Sequence, residues 1–263
     1  MDLQLTKKTA LVTGSTAGIG LAIAQRLAAE GASVIITGRT EARLDEAKAA
    51  ILQQTPQAEV RGVAVDFGKV DEVNRLLQEV PKVDILVNNV GIFDPKPFAE
   101  IPDAEWLNFF EVNVLSGVRL ARQYFPQMLA ANWGRIIFIS SESGLQIPAE
   151  MVHYGTTKTA QLAVARGLAE LTKGTGVTVN SVLPGPTASE GVEEFLGKLA
   201  GAGKTREEAE HEFFRDARPS SLLQRFITTE EVADMTVFLC SPLAAATNGA
   251  SVRVDGGVVR SIG

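Results

Sequence analysis

The sequence predicts an α/β fold: a Rossmann-like, doubly wound parallel sheet of about seven strands with helices on both faces. Three observations carry this. Short runs rich in β-branched residues alternate with segments of helical period. Most of those runs are apolar without interruption, as strands covered on both faces must be. The first run passes straight into a glycine-rich turn that opens a helix, the start of a βαβ unit.

The strand-like runs are 9–14 (TALVTG), 33–38 (SVIITG), 60–66 (VRGVAVD), 83–89 (VDILVNN), 134–140 (GRIIFIS), 177–183 (VTVNSVL) and 250–256 (ASVRVDG). In the segment between the first two, Ile19, Ile23 and Leu27 recur every fourth residue, and Gly31 stands where a helix C-cap belongs. Segments 41–54, 69–79, 103–130, 152–172 and 229–240 also have helical period; Thr228 and Glu231 form a capping-box pattern ahead of the last. Strand–helix–strand repetition requires right-handed crossovers, and a ligand of such a sheet lies beyond the carboxyl ends of its strands. The rhythm breaks once, at 186–221, where short helices are expected at 192–201 and 205–218, the second opened by a Thr205–Glu208 capping box. A long insertion at the ligand end of a sheet is usually functional, here as a substrate loop or lid.

Composition narrows the classes. The 263 residues are 45% apolar and 21% charged, enough for one large domain over 1–263. A single cysteine, Cys240, rules out a disulfide framework, and two histidines, His153 and His211, leave no basis for a metal cluster. The net charge is −6 and the basic residues are dispersed, so no nucleic-acid partner is expected. No apolar stretch is long enough for a membrane span, and the N-terminus has no signal-peptide pattern; the expected setting is cytoplasmic.

The turn TGSTAGIG places glycines at Gly14, Gly18 and Gly20, with Ser15, Thr16 and Ile19 among them. Glycine lets the backbone approach a pyrophosphate closely, and the helix start offers free N–H groups and a positive dipole end. The second strand ends in Gly38–Arg39, where an acidic residue would bind the 2′-OH of NAD. A missing carboxylate beside a guanidinium favours NADP (NADPH), with NAD the alternative. Further along, Tyr154 and Lys158 are four residues apart and share a helix face. A free tyrosine has a pKa of about 10. A neighbouring ammonium favours the phenolate, and the phenol can then act as general acid in carbonyl reduction or as general base in alcohol oxidation.

With TGSTAGIG, NNVG at 88–91 and YGTTK at 154–158 in this order, the chain resembles the short-chain dehydrogenase/reductase family over about residues 5 to 257. The resemblance implies a catalytic set of Asn113, Ser141, Tyr154 and Lys158. Ser141 is chosen over Ser140 because it lies thirteen residues before the tyrosine. It implies cofactor contacts from Asp66 with Phe67 beside it, from Asn89 and Gly91, from Pro184, Gly185 and Thr187, and from Tyr154 and Lys158. Ser141 would stabilise a developing alkoxide, Lys158 would hold the nicotinamide ribose, and Asn113 would order a water leading from Lys158 to solvent. Asn88 is expected to tie strands at a turn, and His153 to be a bystander. The chain departs from the family pattern at Val90, where alanine is usual and a β-branched side chain crowds the ribose. It also departs at Ala17, where a basic residue is usual.

The expected substrate lining is Phe93, Glu142, Ser143, Gln146, Met151 and Pro186, with Phe213 and Phe214 as lid anchors or as the core of a helical cap. Glu142 either selects a hydroxylated or cationic substrate or turns to solvent. The expected reaction is reversible, NADPH-dependent reduction of a ketone to a secondary alcohol. The alternatives are an NAD-dependent alcohol or polyol dehydrogenase and, from another class, a non-catalytic dinucleotide sensor. The resemblance also implies a homotetramer, paired through the long helix at 103–130 and the Tyr154 helix and through the 250–263 tail.

Overall fold

The computed structural model describes residues 1–189 and 205–262. Seven parallel strands form one sheet: β1 (Thr9–Val12), β2 (Ser33–Gly38), β3 (Val60–Ala64), β4 (Ile85–Asn88), β5 (Gly134–Ile139), β6 (Val177–Pro184) and β7 (Ser251–Val254). Their order is β3-β2-β1-β4-β5-β6-β7. The order reverses between β1 and β4, which pair in parallel from Ala10↔Ile85 to Val12↔Val87. A crevice must open there, because the chain leaves the two strand ends in opposite directions.

The uninterrupted apolar runs are explained by two cores. Along each central strand alternate residues point to opposite faces. Ala10, Val12, Val34, Ile36, Ile85, Val87, Ile137 and Ile139 join one core, under α1 (Gly18–Ala29), α2 (Glu41–Gln54) and α8 (Thr229–Cys240). Leu11, Ile35, Leu86, Ile136 and Phe138 join the other, under α3 (Val70–Glu79), α5 (Ser116–Ala130) and α6 (Val152–Glu170). β7, at one edge of the sheet, has no fully buried residue.

The segment expected as one helix at 103–130 is divided. It runs as α4 (Asp103–Phe110), a π-helical turn (Glu111–Leu115) and α5. Asn113 sits in the middle of the π turn and is buried. One extra residue per turn rotates the side chains that follow, which the apolar periodicity of the sequence does not reveal. Of the insertion, the expected helix at 192–201 lies outside the described residues. The second is present as α7 (Arg206–Asp216), with both halves of the Thr205–Glu208 capping box formed. Phe214 is buried with Ala209 and Phe226 in a third, small core, and Phe213 stacks on Phe226 at 5.1 Å. An isolated bridge, Thr187↔Ile227, pins the start of the insertion to the chain that follows it.

Tyr124 tests the second core. It is completely buried, and its hydroxyl donates to Val80 O at 2.7 Å. Tyr124→Phe leaves that carbonyl without its partner and should destabilise the fold by about 1–2 kcal/mol in urea unfolding, with an unchanged m-value.

Candidate active site

At the reversal between β1 and β4 the chain is clasped by Thr13 and Asn89. Thr13 Oγ1 accepts from the N–H of Asn89 at 2.8 Å and of Val90 at 3.0 Å. Asn89 Nδ2 donates to Thr13 O at 2.9 Å and Gly14 O at 3.0 Å. The tie expected of Asn88 is therefore made by its neighbour. Asn88 is buried beside Gly117, and neither polar atom of its amide has a partner among the described residues.

The glycine loop fits a dinucleotide. Gly14 has φ of +59°, a left-handed conformation that L side chains rarely adopt. A Cβ at Gly20 would lie 2.3 Å from Gly14 O, so the loop can fold back on itself only with glycine there. Helix α1 begins with no side-chain cap at Ala17, which leaves its first N–H groups to a ligand. Ser15 is structural: its hydroxyl donates to Val12 O and accepts from Thr37 N. Val90 leans over the loop, with Cγ2 3.0 Å from where a Gly14 Cβ would be.

The end of β2 excludes more than an acid. A Cβ at Gly38 would stand 2.4 Å from Thr16 Cγ2, so Thr16 itself enforces the absence of a side chain. Arg39, Thr40 and Arg43 line the cavity that extends from this point along Thr16–Gly20. Arg43 went unread in the sequence, although it stands four residues after Arg39, in the first turn of α2. On the other side of the adenosine end, Asp66 Oδ1 accepts from Gly68 N at 3.0 Å. The Phe67 side chain is in the core, so only its main chain can reach a cofactor.

A second cavity, of about 500 Å³, shares Ile19, Asn89, Gly91 and Phe93 with the first, so the two form one continuous crevice. Ser141, Tyr154, Lys158, Pro184, Gly185 and Thr187 line it. Lys158 is buried; its Nζ donates to Ile139 O at 3.0 Å and lies 5.6 Å from the Tyr154 ring centroid. Ser140 and Ser141 both line the cavity; the Ser140 hydroxyl is committed to Lys158 O at 2.9 Å and so ties the strand end to α6. Asn113 binds in both directions: Oδ1 accepts from Ile92 N at 2.7 Å, and Nδ2 donates to Ile92 O and to Thr157 Oγ1, each at 3.0 Å. Its main-chain carbonyl accepts from Gln161 Nε2 at 2.5 Å. The side-chain amide thus fixes the chain after β4 against α6.

Of the expected substrate residues, Phe93, Glu142, Ser143, Met151, Pro186 and Phe213 line the cavity. Phe93 meets the Tyr154 ring edge-on at 6.3 Å. Gln146 is exposed and outside the lining, and Phe214 is in the core of the small cap. Glu142 does not turn to solvent: it is buried and ion-paired with Arg218 at 3.1 Å. Arg218 was missed by sequence reasoning, and no signal could have found it, because its partner lies seventy-six residues away. His153 is completely buried on another face of α6, against Phe109 and with Nε2 3.3 Å from Glu105 Oε1; Glu105 is also paired with Lys96.

The electrostatics differ from the expected direction at Tyr154. Burial pushes its phenol well above the ordinary tyrosine range, and the Glu142 carboxylate adds to this; hydrogen bonding with the neighbouring Ser141 and the charge of Arg218 oppose it. The sequence suggests a tyrosine lowered by Lys158; in the protein alone, burial and Glu142 outweigh the lowering influences of Ser141 and Arg218. Burial pushes the Lys158 ammonium down to about 8, with Glu142 pulling the other way.

Comparison with known proteins agrees with this geometry. The family model described as short chain dehydrogenase matches residues 8–198. The oxidoreductase YvaG of Bacillus subtilis is 51% identical over 263 residues, covering the whole of both chains. The D-beta-hydroxybutyrate dehydrogenase of Cupriavidus necator is 35% identical, over 97% of this chain and 99% of that one. The crystal structure of L-sorbose reductase from Gluconobacter frateurii, complexed with NADPH and L-sorbose, superposes with a TM-score of 0.94 at 31% identity, over the full length of both chains. The chain belongs to the short-chain dehydrogenase/reductase family. It is an NAD(P)-dependent oxidoreductase acting on alcohol and ketone groups. No helix among the described residues is long and apolar enough to cross a membrane, and none of them form a group that could hold a metal ion.

The buried lysine has a consequence for stability. Its folded pKa is below the unfolded value of 10.5, so between pH 8 and 10.5 the unfolded chain binds more protons and stability rises with pH. Below pH 8 the full cost of burying the charge is present. Lys158→Met should stabilise the protein by about 1–3 kcal/mol at pH 7 in urea unfolding, and the gain should shrink as pH rises through that window.

Proposed function

We propose that this protein catalyses the reversible, NADPH-dependent reduction of a ketone to a secondary alcohol. The observation that carries the reading is the convergence of Tyr154, Ser141 and Lys158 on a cavity continuous with the glycine loop. A dinucleotide held there would supply the hydride and, once oxidised, a positive ring that favours the phenolate. Tyr154 gives its proton to the oxygen of the substrate carbonyl; Ser141 stabilises the alkoxide character that develops there. Lys158, fixed by Ile139 O, holds the nicotinamide ribose and returns a proton to Tyr154. Asn113 acts here by fixing Ile92 and Thr157, which frame that lysine.

NADP is favoured over NAD by Arg39 and Arg43 at the end of the crevice and by the space that Thr16 denies to an acid at position 38. The substrate is a neutral, hydroxyl-bearing ketone of modest size. Among the described residues, the cavity wall carries Glu142, Glu150, Glu212 and Asp216 against Arg218 and Lys158, a balance that disfavours an acidic substrate. The likeness to a reductase bound to L-sorbose supports the same class. A cytoplasmic homotetramer, paired through α5 and α6 and through the β7 edge, completes the reading; light scattering should give four times the chain mass.

Two experiments test it. Fluorescence titration should show NADPH bound about tenfold or more tighter than NADH, and Arg39→Ala should collapse that ratio towards one. Wild-type protein should oxidise NADPH with L-sorbose in preference to acetoacetate. Tyr154→Phe should lower that turnover by about 10²–10⁴-fold while leaving NADPH affinity intact. Tight NADPH binding with no turnover on any ketone would instead make the protein a dinucleotide sensor.

A further inference from the structure

Arg218 follows α7 and is 9% exposed. Its Nε donates to Glu142 Oε1 at 3.1 Å, and its Nη1 donates to Glu150 Oε1 at 3.1 Å and Ala217 O at 2.8 Å. Glu142 is 5% exposed and directly follows Ser141. Its Oε2 accepts from Ser143 N at 2.9 Å and from the Ser141 hydroxyl. Ser141 Oγ in turn accepts from Ser143 N at 3.1 Å. A chain of charged and polar contacts therefore runs from the insertion to the serine of the proposed reaction.

A hydroxyl has one proton. Given to Glu142, it is withheld from a substrate oxygen, and Ser141 then offers only lone pairs. How firmly Glu142 keeps that proton depends on how much of its charge is met elsewhere. An uncompensated buried carboxylate holds any available donor strongly, whereas one already bound to a guanidinium holds it less. Arg218 is the cation that meets it.

We infer that Arg218 and Glu142 are positioning residues through which docking of the 205–218 segment sets the direction of the Ser141 hydroxyl and the field at Tyr154. Substrate handling by the insertion and the readiness of the reacting groups are then one event: the segment that closes the cavity also carries the cation that frees the serine. Among the described residues, the charged groups that bear on Tyr154 are Glu142 from the loop after β5 and Arg218 from beyond α7, with Lys158 from α6 beside the ring. Glu150 reaches it only through Arg218. The two partners act in opposite directions: Glu142 disfavours the phenolate and Arg218 favours it.

The inference rests on the oxidoreductase reading but is tested without turnover. In the NADP⁺ complex, tyrosinate absorbance is followed against pH, up to the alkaline unfolding seen by circular dichroism. The step missing in Tyr154→Phe belongs to Tyr154, since the only other tyrosine is Tyr124. Glu142→Gln should move that step down by about one pH unit, a tenfold change in the ionisation constant. Arg218→Met should move it up or out of range. The double variant should return close to wild type, and Arg218→Lys, which keeps the cation, should lie between Arg218→Met and wild type. In L-sorbose reduction Arg218→Met should lower kcat more than it raises KM. A Tyr154 step unmoved in both single variants, with only urea stability reduced, would make the pair a structural salt bridge. A raised KM with kcat and the step unchanged would make Arg218 a substrate contact. Either result overturns the inference and leaves the oxidoreductase reading intact.

Discussion

The clasp between Thr13 and Asn89 is the constraint on which the site depends. Parallel strands diverge at the switch point, and their terminal N–H and carbonyl groups would otherwise face an open crevice unpaired. One hydroxyl accepts from two successive N–H groups, and one amide covers two successive carbonyls. The polar needs of the strand ends are met locally, so the glycine loop can remain bare. Gly20, Gly14 and Asn89 are packed so closely that a Cβ at Gly20 would meet both the Gly14 carbonyl and the Asn89 amide.

The far side of the crevice is organised by the π turn in the helix after β4. Its extra residue aims Asn113 at the chain following β4, where the amide makes a reciprocal pair of hydrogen bonds with Ile92 and a third with Thr157 on α6. α6 carries both Tyr154 and Lys158, so the angle of that helix to the crevice decides where the reacting groups stand. The helix is further fixed by Ser140 against the Lys158 carbonyl and by the buried cluster of His153, Phe109 and Glu105 on another of its faces. A side chain next in sequence to the reacting tyrosine thus serves the scaffold, because successive residues of a helix point about 100° apart.

The charged groups of the site are held in an apolar wall at a cost to stability. Lys158 is buried and pushed down, Tyr154 is buried and pushed up, and Glu142 influences both. Both shifts come chiefly from burial, which drives each group towards its neutral form, so that environment and not sequence sets protonation here.

The sequence by itself determined the strands, the order of elements, the glycine loop and the Tyr154–Lys158 pair. These are local properties: unbroken apolar runs signal buried strands, and residues four apart share a helix face whatever surrounds them. The second capping box was legible for the same reason, since both of its partners lie within one turn. Only the tertiary structure decided the role of Glu142, the reach of Arg218 and Arg43, the withdrawal of Phe214 and Gln146 from the cavity, and the direction in which Tyr154 is shifted. Each depends on groups far apart in the chain and on how deeply they are buried. Desolvation and long-range ion pairing have no period and no motif, so they come into being only when segments far apart in the chain pack together.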